Sequence, residues 1–465
     1  MNFRKINKIF FVGIGGIGMS GIAELLLNLG FYVSGSDLTK NENVIRLQKL
    51  GISIKIGHNQ KNLDQADVLV YSSAVPMDNP EIVKAKEIGI PVIRRAEMLG
   101  ELINVKDTSI AVGGTHGKTT TSSIIGAMLS YAKMDPTLVV GGLVQNIDTN
   151  SKLGSGEIIV VEADEFDRSF LALKPTIGII TNIELEHTDC YKDLEDLQNA
   201  FIQFSQSVPF YGEMIVCIDS PPAREILTKI ERPITTYGRS RDAAYRSENL
   251  RFHENKTTYS VFCAEDCLGE IKLNVPGEHN VLNSLAAVVL GLELGLSFNV
   301  IKKGIETYTG VRRRFDIKAK INDIIVVDDY AHHPTEIEAT LTAAKNGWDR
   351  RIIAILQPHL YSRTRDFFRE FARSLQLADE VIITDIYPAR EMPIPGITSE
   401  LIYNEYKNNI GHNCHLIPNL DNIQEFLDKI VKPSDMVITL GAGSIWRFSE
   451  NYVSHLKSIY NEVNG

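Results

Sequence analysis

Long apolar runs are missing from this chain of 465 residues. No stretch approaches the roughly 20 apolar residues that a bilayer-spanning helix needs. Blocks of like charge are missing too. The 48 Lys and Arg stand against 58 Asp and Glu, for a net charge of −10 spread along the chain. That pattern argues against a nucleic-acid coat or a membrane-surface binder, while a local basic patch for an anionic substrate stays open. Cysteine is scarce, with five residues at Cys190, Cys217, Cys263, Cys267 and Cys414. The odd count and the lack of any repeated CxxC pair point to reduced thiols in a cytoplasm. His412, Cys414 and His415 cluster in sequence, but spacing alone is a weak metal signal. Low-complexity tracts and short internal repeats are absent as well. The N-terminal MNFRKINKIFFVGIGG has the charge-then-apolar order of a signal peptide, yet its apolar run is short and feeds into a glycine loop, so it reads as structure.

What is present is an ordinary globular composition, 44% hydrophobic and 23% charged, in a chain long enough for two to four domains. Strand-like and helix-like stretches alternate, which implies parallel βαβ units. In the first part KIFFVG reads as a strand, GMSGIAELLLNLG as a helix stopping at Gly30, and FYVSGSD as the next strand; further units follow at DVLVYSS and PVIRRAEMLGEL. The pattern restarts at TSIAVGG, followed by the helix KTTTSSIIGAMLSYA and strands at EIIVVEAD and TIGIITNI. Residues 233–275 are rich in Thr, Tyr and charge and read as hairpins, before helices at about 278–295 and 298–308. A third α/β unit begins at GVRRRFD, with strands at DIIVVDDY, RIIAILQP, DEVIITDI and SDMVITLGAG. The expectation is three α/β domains: 1–106 Rossmann-like, 107–311 built around a phosphate loop with a mixed sheet, and 312–465 Rossmann-like again.

Two glycine loops sit at strand-to-helix junctions. GIGGIG, with Gly13, Gly15, Gly16 and Gly18, fits G-x-G-x-x-G, and Asp37 ends the following strand where a ribose-binding acid is expected. A helix N-terminus with close backbone approach suits a pyrophosphate, but NAD and UDP both carry one, and a tight turn without ligand has the same pattern. The second loop is GGTHGKTT. The strict G-x-x-x-x-G-K-[ST] pattern fails, because Val112 stands where its first glycine belongs. Gly113 and Gly114 supply flexible backbone one and two positions later. Lys118 is placed to neutralise β- and γ-phosphate charge, and the Thr119 hydroxyl to bind Mg²⁺. Such a loop needs a metal-binding acid elsewhere. Glu162 and Asp164 lie at the end of a predicted strand, and His187 follows the next one, so a second Mg²⁺ site is a further expectation.

Taken in order, GIGGIGMSGIAE, SSAVPMDNPE, GGTHGKTTT, EADEFDRSF, GEHNVLNSLAA, RRRFD, DDYAHHPTE and QPHLYSRTRD resemble the Mur ligase family along the whole chain. The resemblance implies an ATP-dependent amide ligase of peptidoglycan precursor synthesis, acting on UDP-N-acetylmuramate, L-alanine and ATP through an acyl phosphate. It explains the shifted loop, since the family form is G-T-[HN]-G-K-T. Gly114, Thr115, His116, Gly117, Lys118, Thr119 and Thr120 then match the ATP loop, with His279, Asn283, Arg314 and Asp329 as further ATP residues. Gly13, Gly15, Gly16, Gly18, Asp37, Ser72 and Ser73 would hold the UDP-sugar. Tyr330, His332 and Arg363 would meet the amino acid, and Thr119, Glu162 and His187 the metal. Lys118, His332 and Arg363 carry the expected chemistry, the third domain closes over both nucleotides, and Arg312–Arg314 is the expected hinge. A monomer or weak homodimer is expected. Some members have an arginine where Leu360 stands, which puts a second cation in the amino-acid pocket in doubt. The segment Asn182–His187 has no lysine to modify, which fits the alanine-adding branch. A tripeptide-recycling ligase, a Rossmann NAD(P) oxidoreductase and an ATP-hydrolysing switch are the competing readings.

Overall fold

The computed structural model describes residues 6–63, 65–144, 149–186, 190–389 and 391–462. Three α/β sheets follow one another along the chain. The first contains β1 (Lys8–Val12), β2 (Tyr32–Asp37), β3 (Ser53–Ile56), β4 (Val68–Tyr71) and β5 (Val92–Arg94) in the order 3-2-1-4-5. Its strands pair in parallel throughout. The strand order reverses between β1 and β4, so the crevice at their carboxyl ends is where an open parallel sheet binds ligands. Ile9, Phe11, Val68 and Val70 enter one core, while Phe10, Val12, Leu69 and Tyr71 enter another. Burial on both faces is why these strands are apolar throughout rather than alternating. The helix Ile17–Asn28 ends as expected, with Gly30 at φ +92° and bonds from Gly30 N to Leu27 O and Phe31 N to Leu26 O.

The middle sheet has ten strands: β6 (Thr108–Gly113), β7 (Thr137–Val144), β8 (Thr149–Lys152), β9 (Ile158–Ala163), β10 (Ile177–Ile180), β11 (Glu213–Cys217), β12 (Ile234–Gly238), β13 (Tyr245–His253), β14 (Lys256–Cys263) and β15 (Asp266–Leu273). Their order is 15-14-13-12-11-10-6-9-7-8. β6 lies between β10 and β9, parallel to both, while β7 and β8 are antiparallel. Of the expected hairpin region 233–275, β13–β15 are joined by two-residue links that only antiparallel neighbours can use, whereas β12 runs parallel to both β11 and β13 and extends the parallel sheet.

The third sheet holds β16 (Asp316–Ile321), β17 (Ile324–Asp329), β18 (Arg351–Leu356), β19 (Glu380–Ile383), β20 (Cys414–Leu416) and β21 (Asp435–Leu440), ordered 16-17-21-18-19-20. Only β16 runs antiparallel to its neighbour. Residues again alternate between two cores, with Ile325, Val327, Ala354 and Ile438 on one side and Ile324, Val326, Ile353 and Val437 on the other. The chain divides into two compact units: residues 1–249, 259–271 and 282–309, and residues 250–258, 272–281 and 310–465. Among the described residues no helix is long and apolar enough to cross a membrane. All five cysteines are free; Cys414 is buried in a core, and His415 Nε2 lies 3.2 Å from Glu380 Oε2.

Candidate active site

In the first unit the GIGGIG loop leaves β1 and opens the helix Ile17–Asn28. Gly13, at φ +77°, and Ile14 both donate to Ser36 O, which ties the loop to β2. Asp37, expected as a ribose-binding acid, has its Oδ2 accepting from Gly15 N at 2.8 Å and its Oδ1 from Thr39 N at 3.0 Å. The carboxylate braces the loop itself. Ser72 follows β4 beside Gly13, where an added Cβ on Gly13 would lie 3.6 Å from Ser72 Cβ, and Ser73 comes next, exposed. A Cβ on Gly16 would make only ordinary contacts, with Gly13 O at 3.5 Å, whereas one on Gly18 would meet Arg95 Nη1 at 3.0 Å. Arg95, which the sequence reading did not single out, therefore brings a guanidinium to the first turn of that helix. A cation beside a helix N-terminus is a good place for a diphosphate.

The second loop leaves β6 and opens the helix Lys118–Tyr131. Gly114 at φ +130° and Gly117 at φ +84° use backbone conformations that favour glycine. Both also lack room. A Cβ on Gly114 would come 2.1 Å from Thr181 Oγ1, and one on Gly117 would come 2.4 Å from Asn283 Oδ1. The residues after β10 wrap the loop. Thr115 N donates to Asn182 O, His116 N to Asn182 Oδ1, and Thr181 Oγ1 to His116 O. His116 Nε2 lies 3.0 Å from Glu184 Oε2. Asn283 accepts from Thr121 Oγ1 at 3.2 Å and so buttresses the first turn of the loop's helix. Thr120 is buried in that turn.

Lys118 Nζ uses its three donors on Gly114 O at 2.7 Å, Thr115 O at 3.0 Å and Glu165 Oε2 at 2.7 Å. Burial works against its charge, but Glu165, Asp164 and Glu186 outweigh that and hold the ammonium above its ordinary range. Burial pushes Glu165 up to about 7 against the pull of Lys118. Glu162 is raised by burial too, while Gly141 N and the Thr119 hydroxyl bond to it. Thr119 and Glu162 thus present neighbouring hard oxygen atoms, a donor set that suits Mg²⁺. His187 lies outside the described residues.

In the second unit the turn before β16 is anchored to the sheet. Arg313 and Phe315 have φ of +63° and +45°. Arg313 reaches Asp328 Oδ2 at 3.2 Å and Gly441 O at 2.7 Å, so the expected hinge residues are tied to β17 and to the end of β21. Asp329 is an internal brace as well: it accepts from Phe315 N, Ala331 N and Thr340 Oγ1 at 2.8–3.0 Å. Burial raises it to about 6. Arg313 and Arg314 lie over the Tyr330 ring, at 4.9 and 5.2 Å from its centroid. Glu336, a second residue the sequence reading passed over, gathers this corner. It accepts from His332 N at 3.0 Å and pairs with Arg314 at 3.4 Å. His332 Nδ1 faces Tyr330 O at 2.9 Å and Glu336 Oε2 at 3.2 Å. Both are acceptors, so Nδ1 carries the proton and Nε2 is the basic nitrogen of the neutral ring. Burial first, then Arg314, brings His279 down to about 4 and keeps it neutral. Arg363 is buried, with Nη1 3.5 Å from His359 Nδ1, and the His332 and His359 rings meet edge to face. Leu360, at φ +71°, caps the helix that carries Arg363.

A parallel sheet with a glycine loop, a second sheet with a lysine-bearing phosphate loop and a third α/β sheet define a multidomain α/β protein of the phosphate-loop class. Three family models match it in sequence order: Mur ligase family, catalytic domain, over residues 8–107; Mur ligase middle domain over 112–291; and Mur ligase, glutamate ligase domain, over 313–443. The chain belongs to the Mur ligase family. It is 50% identical to the UDP-N-acetylmuramate–L-alanine ligase of Geotalea uraniireducens, covering 98% of this chain and 99% of that one. The enzyme of that name from Syntrophus aciditrophicus is 48% identical, over 98% and 95% of the two chains. Among solved structures, the UDP-N-acetylmuramate–alanine ligase of Thermotoga maritima superposes with a TM-score of 0.83 at 30% identity, covering 97% and 99%. A murein peptide ligase from Psychrobacter arcticus reaches 0.71 at 25% identity, covering 97% and 98%.

Proposed function

We propose that this chain joins L-alanine to the carboxylate of UDP-N-acetylmuramate at the expense of ATP in peptidoglycan precursor synthesis. The observation that carries this reading is end-to-end identity of 46–50% to relatives named for that reaction. The tripeptide-adding alternative rests on a likeness of 25% identity, and a hydride-transfer role would leave the lysine loop without a purpose.

The residues support the steps as follows. The muramate carboxylate attacks the γ-phosphorus of ATP, giving an acyl phosphate and ADP. Two anions must approach, so the barrier is electrostatic first. Lys118 offsets that repulsion at the phosphates, and the loop's backbone N–H groups at the helix N-terminus share the charge. Thr119 and Glu162 would hold Mg²⁺, which supplies further charge neutralisation when bound. The alanine amine then attacks the acyl carbon, a tetrahedral adduct forms, and phosphate leaves with the C–O bond electrons. The attacking nitrogen must shed a proton. His332 Nε2 is the group we assign to receive it, with Glu336 and Tyr330 O fixing the ring. Arg363 is assigned to the alanine carboxylate, and Arg95 with the Gly13–Gly18 loop to the UDP diphosphate.

The test is phosphate release from ATP and Mg²⁺ with UDP-N-acetylmuramate, with and without L-alanine, alongside mass detection of the product. Alanine-dependent release with the matching amide is expected. Release only with the tripeptide as acceptor would replace this reading with the recycling one.

A further inference from the structure

Glu165 is unused by the steps above, yet among the described residues it makes the ionic contact that Lys118 has outside its own loop. Its side chain is 2% exposed and its carboxylate lies 2.7 Å from the ammonium. The other two lysine donors rest on carbonyls of the loop. No N–H of the ammonium can therefore turn to a phosphate without releasing one of these partners, and Glu165 is the partner that resembles a phosphate in charge. The backbone around it is built to keep it there. Tyr191 OH donates to Glu165 O at 2.6 Å, and Arg168 N donates to the same oxygen at 3.0 Å. Asp167 and Arg168 both sit in the left-handed region, at φ +50° and +61°. Two successive strained residues persist only where the surroundings enforce them. Here Arg168 forks onto both oxygens of Asp196 at 2.7 and 2.6 Å and stacks over the Tyr191 ring at 4.8 Å.

We propose that Glu165 is a positioning residue that stands in for the nucleotide's terminal phosphates, holding Lys118 in the loop until ATP displaces it. The proposal rests on the ATP-binding role given above. A buried ammonium left without a counter-charge is costly, so Lys118 needs an anionic partner whether or not a nucleotide is bound. ATP binding is then an exchange of one anionic partner for another, and Glu165 competes with the ligand.

The test is calorimetric titration of the full chain with ATP, ADP and AMP. Glu165→Gln removes the competing charge, and we expect ATP and ADP to bind on the order of tenfold more tightly, with AMP unchanged. Glu165→Asp, which keeps the charge but withdraws it by one methylene, should fall between wild type and Gln. A merely structural glutamate predicts the opposite sign, since its loss would loosen the loop and weaken every nucleotide. Unchanged or weaker ATP binding in Glu165→Gln overturns the proposal, as does equal tightening for AMP. Should the Gln variant not fold, Glu165→Asp decides, because affinity no better than wild type refutes competition. No binding of ATP or ADP by the wild-type chain would instead overturn the ATP reading itself.

Discussion

Gly117→Ala is the sharpest probe of the lysine loop, because two separate costs can be worked out. The first is local. Gly117 sits at φ +84°, ψ −6°, and the left-handed backbone costs an alanine about 1–2 kcal/mol. The second is steric. The new Cβ would lie 2.4 Å from Asn283 Oδ1, so that side chain must move. Asn283 is 6% exposed and accepts from Thr121 Oγ1 at 3.2 Å. Displacing it forfeits a hydrogen bond contributing about 0.5–1.5 kcal/mol. The total is roughly 2–3 kcal/mol, borne by the turn that aims the loop's N–H groups. Urea unfolding should show that loss, and calorimetry should show ATP affinity weakened on the order of tenfold. Asn283→Ala in the same chain removes the collision, so the double variant should lose about 1 kcal/mol less than the two singles combined. A loss under about 0.5 kcal/mol with unchanged ATP affinity would refute the reasoning, and strict additivity would refute the steric half.

Other residues give independent tests. His332→Ala should lower the turnover of amide formation by about 10²–10⁴-fold, and Glu336→Gln should lower kcat more than it changes the KM for alanine; unchanged turnover at saturating substrates removes His332 from the chemistry. Arg95→Ala should raise the KM for UDP-N-acetylmuramate about tenfold with kcat nearly unchanged, and an effect confined to kcat would contradict a diphosphate contact. Asp329 has its folded carboxyl raised from 3.8 to about 6, so its contribution to stability is full below pH 3.8 and is lost as pH rises through 6. The stability of wild type relative to Asp329→Asn should therefore fall by roughly 2.4 kcal/mol between pH 4 and 7, and a difference that stays flat or grows with pH shows that burial does not govern this group.

The sequence by itself determined the local chemistry. Apolar strands bounded by glycine announced parallel sheets buried on both faces, and KIFFVG, TSIAVGG and DIIVVDDY became β1, β6 and β17. G-T-H-G-K-T announced a loop whose glycines need positive φ, and both Gly114 and Gly117 have it. Such features are encoded within a few residues, because backbone conformation and side-chain period are local properties. Partnerships were decided only by the tertiary structure. Glu165 meets Lys118 across 47 residues, and nothing in EADEFD says which of its four acids turns inward. Arg95 reaches Gly18 from the far end of the first sheet's connectivity. Asp37 and Asp329 are expected at ligands, and the tertiary structure adds that each carboxylate also accepts from backbone N–H groups. A carboxylate at a strand end takes the nearest unsatisfied donors, and chain crossovers, which no local pattern records, determine which donors those are.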